Sequence, residues 1–198
     1  MASIYASTHN EAMTYIFNRM ESYPTENVES VVFSIYGDFC TERGIPLPTL
    51  FPPMLPTFPE DFNDLDLHGI VDGSELSEGL KEKGKALVDI VLQTLPFNPF
   101  AEAIQRLLDE SRSALNEAEY QVLDDAAEVA RQSHQLYIGD GEEITDFVAK
   151  SAQTGGGSQE DARSINWWKV GGCDVVGGLV SGGTAALGAS AISVIMQW

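Results

Sequence analysis

Asn116-Glu117-Ala118-Glu119-Tyr120-Gln121-Val122-Leu123-Asp124-Asp125-Ala126-Ala127-Glu128-Val129-Ala130 decides the fold class. Asn116 followed three residues on by Glu119 is the pattern of a capping box, in which each residue's side chain satisfies the other's orphan backbone N–H. Tyr120, Val122, Leu123, Ala126, Val129 and Ala130 then recur at helical spacing, and the stripe runs to about Tyr137. Upstream, Asn98-Pro99 reads as a cap with proline in the first turn, opening a helix with Phe100, Ile104, Leu107 and Leu108 on one face. A further helix is predicted over 75–95, carrying Leu76, Leu80, Leu87, Ile90, Val91 and Leu95 inward and stopped by Pro96. Gly79 and Gly84 weaken it by roughly 1 kcal/mol each, a cost that close packing against a neighbour would explain.

Near the amino terminus the same reasoning gives two more helices. Thr8 with Glu11 reads as a capping box for a helix over 9–22, with Ala12, Met13, Tyr15, Ile16 and Met20 apolar. The next begins near Thr25, carries Val28, Val31, Val32, Ile35, Tyr36 and Phe39, and has Gly44 as its C′ residue. From 45 to 59 six prolines remove backbone donors and forbid a regular helix; Leu50, Phe51, Met54, Leu55 and Phe58 between them predict an extended strap lying on a core. A polyproline recognition tract is the alternative reading. No run of strands is legible, so residues 1–150 are predicted to form an all-α helical bundle with a Pro-rich strap.

Beyond Lys150 the composition changes. Gly155-Gly156-Gly157 marks a flexible linker over 151–165, followed by a Gly/Ala/Ser-rich tail over 166–198, read as a helix or helical hairpin. After Asp174 no charged side chain occurs, an uncharged run of roughly 24 residues, about 36 Å as a helix and long enough for a bilayer. Small residues recur every four positions on two adjacent rows, Gly178, Gly182, Ala186 and Ser190 beside Gly177, Ser181, Ala185, Ala189 and Ser193. Such a face lets a second helix backbone approach closely. Trp167, Trp168 and Trp198 with Lys169 resemble the interfacial belt of a membrane segment, whereas Asp174 opposes insertion. In water the glycines disfavour the helix unless something packs on it, so the tail requires a partner.

Charge narrows the partners. Eleven basic against 30 acidic residues give a net charge of −19, which repels phosphate backbones and argues against nucleic acid. The opening residues lack the basic and apolar regions of a secretory signal, giving an expectation of a cytoplasmic or membrane-associated protein. Cys40 and Cys173 lie far apart and read as free buried thiols.

Asp64, Asp66, His68, Ile70, Asp72 and Glu75 fall at loop positions 1, 3, 5, 7, 9 and 12 of an EF-hand, with Gly69 at the sharp turn, so Ca²⁺ is a candidate ligand. The alternative is an acidic turn capping the following helix, with Asp72 or Ser74 as N-cap. No catalytic motif surrounds His9, His68 or His134; His9 reads as a capping or surface residue and His134 as a partner for a helix C-terminus. Adjacent acids such as Asp124-Asp125 read as solvated.

The turn Thr8-His9-Asn10-Glu11-Ala-Met-Thr-Tyr15-Ile16, the segment Glu117-Ala-Glu119…Ala130-Arg-Gln-Ser133-His134-Gln-Leu-Tyr137, and Trp167-Trp168-Lys169…Asp174…Gly177-Gly178 together resemble uncharacterised proteins of Bacteroidota. The resemblance implies a helical amino-terminal region joined to a glycine-rich carboxy-terminal segment, and no activity. Three readings follow: a non-enzymatic helical protein whose tail enters a membrane or associates closely with another helix, as in a toxin, bacteriocin-like or immunity-type component; a helical binding module with the tail folded back, ordered by Ca²⁺ through 64–75; and a small enzyme using His9 or His134. A membrane, a partner helix or a second copy of the chain is the expected partner.

Overall fold

The capping box at Asn116 forms as its spacing predicts. Asn116 Oδ1 accepts from the Ala118 and Glu119 amides at 3.0 and 3.1 Å, and Glu119 Oε2 accepts from the Asn116 amide at 3.0 Å. In the computed structural model, which describes residues 3–19, 28–46, 64–139 and 166–181, this cap opens α7. The elements in chain order are α1 (Ile4–Ser7), α2 (His9–Arg19), α3 (Val28–Arg43), α4 (Leu67–Gly73), α5 (Glu78–Leu92), α6 (Phe97–Ser111), α7 (Glu117–His134) and α8 (Trp167–Ser181), with a π-helical turn over Gln135–Gly139 continuing α7. No strand occurs among the described residues, and the protein is an all-α bundle.

Several local expectations are revised. Thr8 does not cap α2: its hydroxyl donates to the Ile4 carbonyl at 2.8 Å and closes α1, while Glu11 pairs with Arg43 at 2.9 Å. Helix 75–95 is shorter, because Ser77 Oγ accepts from the Leu80 amide and starts α5 there. Asn98 is inside α6, which begins one residue earlier behind Pro96 and has no side-chain cap. Gly44 takes φ +65°, the left-handed conformation that ends a helix without a Cβ clash. Most of the predicted strap, residues 47–59, lies outside the described residues, as does the linker.

Two clusters of buried side chains organise the bundle. The larger joins Leu67 and Val71 of α4, Leu80, Leu87, Val88 and Val91 of α5, Phe100, Ile104, Leu107 and Leu108 of α6, and Leu123, Ala126, Ala127 and Ala130 of α7 to Cys173, Val175, Val176 and Leu179 of α8. The smaller joins Met13, Ile16 and Phe17 of α2 and Val32, Tyr36 and Phe39 of α3 to Tyr137 and Val170. Each fully buried Leu, Ile, Val or Phe contributes about 1.5–3 kcal/mol of transfer free energy, so α8, which supplies side chains to both clusters, is integral to the fold. Residues 167–181 thus share one core with helices drawn from residues 1–150.

Small residues set how closely α8 can lie. A Cβ at Gly178 would meet Ala126 Cα at 3.4 Å, one at Gly172 would meet Leu67 Cδ1 at 2.5 Å, and one at Gly84 of α5 would meet Leu179 Cδ1 at 2.8 Å. Gly84 therefore offsets its propensity cost by admitting Leu179, the close packing predicted for it. Both cysteines are buried and free.

Candidate functional site

A polar seam runs along α8 where an apolar contact would be expected. Asp174 is fully buried at the middle of the helix, and its Oδ2 accepts from Ser133 Oγ of α7 at 2.6 Å. His9, the first residue of α2, is also fully buried and places Nε2 3.5 Å from the same oxygen. Its Nδ1 lies 3.1 Å from Asn10 Oδ1; an amide oxygen only accepts, so Nδ1 donates. Nε2 of that ring faces a carboxylate oxygen, and the contact is attractive only with a proton between them. Two elements distant in sequence, α2 and α7, are thereby pinned to one atom of the tail helix. His9 is not the surface residue its position suggested: helix α2 carries it into the core, where it meets Asp174 of α8.

Serine, histidine and aspartate are the residue types of a hydrolytic triad, but the connectivity differs. The Ser133 proton goes to Asp174 Oδ2 and not to the imidazole, whose Nε2 faces that same oxygen at 3.5 Å. Burial of all three also closes the approach of a substrate. The arrangement clamps α2 and α7 onto α8.

Desolvation pushes the His9 imidazole down to about 4, against 6.5 for a free ring. The unfolded chain therefore takes up this proton first as pH falls, and stability from the neutral ring is present above pH 6.5 and lost between 6.5 and 4. An Asp174→Asn chain isolates the effect, since an amide accepts from Ser133, donates to Nε2 and does not titrate. Relative to a His9→Gln/Asp174→Asn control, it is expected to lose about 3 kcal/mol over that window in urea denaturation. Equal pH profiles for the two chains would show that His9 is not held neutral.

Ser133's neighbour turns to a different helix. His134 Nε2 donates to the Leu95 carbonyl at 2.9 Å, a contact made possible where Thr94 takes φ 54° and turns the chain between α5 and α6. Its ring packs at 4.4 Å from Phe100 and meets the edge of Trp168 at 5.5 Å, while Tyr137 stacks on Trp167 at 5.1 Å. Two of the three tryptophans proposed for a membrane interface, Trp167 and Trp168, are thus packed on α7 and its π-helical turn. Lys169 is half-buried, its amide bonded to the Asn166 side chain.

Asp125 departs from the solvated reading of its acid pair. It is buried and accepts from the Ser3 amide at 2.6 Å and from Gln121 Nε2 at 2.9 Å, tying the chain's start to α7.

The EF-hand spacing does not produce a loop. Asp66 caps α4 by accepting from the Gly69 amide at 2.8 Å, Leu67 and Val71 are buried by the core, and the helix turns the remaining acids apart. Asp72 bonds Lys85 at 2.6 Å, which holds its carboxyl below the usual range; His68 pairs with Asp89 at 2.9 Å; Asp64 and Glu75 are exposed. Ile70 has its carbonyl inside a helical segment. Among the described residues no three His, Cys, Asp or Glu side chains converge as a metal site.

Of the helix-packing residues, Gly178 lies against Ala126 of α7 and Gly177 is half-buried. Ser181 ends α8, and Gly182, Ala185, Ala186, Ala189, Ser190 and Trp198 lie outside the described residues. No helix among the described residues is long and apolar enough to cross a membrane. Compared with protein-family models, curated proteins and solved structures, the chain matches none.

Proposed function

We propose that this chain is a non-enzymatic helical association protein. Its glycine-rich segment offers a small-residue surface on which other helix backbones lie, those of its own bundle along α8 and a partner helix or second copy further along. The observation that carries this reading is the approach of α7 to Gly178, where the nearest neighbour of an added Cβ is the Ala126 backbone itself. The two small-residue rows continue in sequence through Gly182, Ala185, Ala186, Ala189 and Ser190. Sedimentation of the full chain over a concentration series is expected to show self-association that Ala186→Leu abolishes while thermal stability is retained. A chain that stays monomeric throughout, or an Ala186→Leu variant that associates equally well, overturns the second-copy form.

A membrane-inserting role, as in a toxin, bacteriocin-like or immunity-type component, is a second reading. It is favoured by the uncharged sequence after Asp174 and its terminal Trp198. Flotation of the full chain with anionic and zwitterionic vesicles separates the two: recovery with lipid supports insertion, and recovery only in the dense fraction supports helix association.

A further inference from the structure

We propose that the seam on α8 holds one shared proton, resident on Asp174 Oδ2 and donated to His9 Nε2, so that docking of α8 takes up a proton from solvent and loosens as pH rises. His9 Nδ1 donates to Asn10 Oδ1 at 3.1 Å, which leaves Nε2 as the nitrogen facing the carboxyl. Nε2 and Oδ2 lie 3.5 Å apart, where two bare lone pairs would repel. One proton between them makes the contact attractive. An oxygen that carries it still accepts from Ser133 Oγ at 2.6 Å, since the hydroxyl of a carboxylic acid both donates and accepts.

Burial decides which atom keeps that proton. Both side chains are fully buried, and two opposite charges there cost more desolvation than a neutral acid beside a neutral base. Desolvation holds the His9 ring neutral, pushing it down to about 4. Charged groups on the elements packed around the seam are matched among themselves: Glu11 with Arg43 between α2 and α3, Arg131 with Glu128 on α7, and Asp72 with Lys85 and His68 with Asp89 between α4 and α5. Asp125 of α7 holds the Ser3 amide, and Lys169 of α8 lines the surface groove beside Asp89. Burial pushes the adjacent Cys173 thiol up, so it stays protonated. Docked, the pair holds one proton; unfolded and above the 6.5 of a free imidazole, it holds none. Rising pH therefore weakens the clamp. The inference does not depend on the proposed partner of the tail.

Three measurements on the full chain test it. Near neutral pH, where exposed carboxyls are ionised, the infrared spectrum is expected to show the carbonyl stretch of a protonated carboxyl that Asp174→Asn lacks. Long-range ¹H–¹⁵N correlation of His9 is expected to show a neutral ring protonated at Nδ1, with Nε2 accepting. Relative to Asp174→Asn, which has the same cysteines, tyrosines and lysines, the wild-type folding constant in urea titrations is expected to fall about tenfold per pH unit above about pH 7. A ring protonated at both nitrogens puts the proton on the imidazole and overturns the proposal. So does a neutral ring protonated at Nε2, which needs no shared proton. Both outcomes are read on the wild type, so the test stands even if Asp174→Asn fails to fold. Parallel pH profiles for the two chains also overturn it.

Discussion

An Asp174→Ala chain is expected to lose about 3–5 kcal/mol of folding stability, a large share of the 5–15 kcal/mol typical of a domain. Truncation leaves two polar groups buried without the oxygen they face, Ser133 Oγ at 2.6 Å and His9 Nε2 at 3.5 Å. Each such orphan costs about 1–3 kcal/mol, and the vacated carboxyl volume adds a packing loss. Asp174→Asn separates this account from a general intolerance at the position. It keeps an acceptor for Ser133 and presents a donor to His9, so at pH 7 it is expected to cost less than half as much. The loss should also be local before it is global: amides of 170–178 are expected to exchange faster than those of α5 and α6 at low denaturant. If Asp174→Ala unfolds at the wild-type urea concentration, the seam does not hold α8.

The contrast between seam and scaffold explains what could be read in advance. Helices α3 and α7 were legible because one end and one face of each are encoded locally: Gly44 ends the first, Asn116 and Glu119 start the second, and an apolar stripe marks the buried side of each. α4 was not, since seven residues with a leading aspartate read equally well as a calcium loop; what makes it a helix is burial of Leu67 and Val71 by distant elements. His9, Ser133 and Asp174 were each visible as single polar residues, yet nothing in their spacing links them, because their contact is made by three helices meeting. The burial of Asp125 escaped notice for the same reason, its partner being the Ser3 amide at the other end of the chain. The small-residue pattern could not say which helix would approach it; against Gly178 the neighbour is Ala126 of α7.

Replacement of Gly178 by leucine tests that last point with an effect of comparable size. An alanine Cβ there meets the Ala126 backbone at 3.4 Å and the Ala126 Cβ at 3.5 Å, so alanine is tight, and its crowding opposes the roughly 1 kcal/mol it gains in helix propensity. Leucine adds three more heavy atoms on the same side, and what they meet is a helix backbone that cannot rotate out of the way as a side chain can. Helix α7 is also held from behind: Asp125 fixes it to Ser3, and Gln132 donates to the Ser7 carbonyl at 3.1 Å. Overpacking ordinarily costs about 1–3 kcal/mol; with both helices pinned, the upper end applies, and Gly178→Leu is expected to lose about 3 kcal/mol against Gly178→Ala near zero. Lipid responds in the opposite sense, since leucine favours insertion of an apolar helix where glycine does not. A folded Gly178→Leu chain that keeps wild-type stability but no longer self-associates would mean that this glycine faces a partner outside the bundle. Loss of stability with vesicle flotation raised would mean that the bundle and the membrane compete for one helix face.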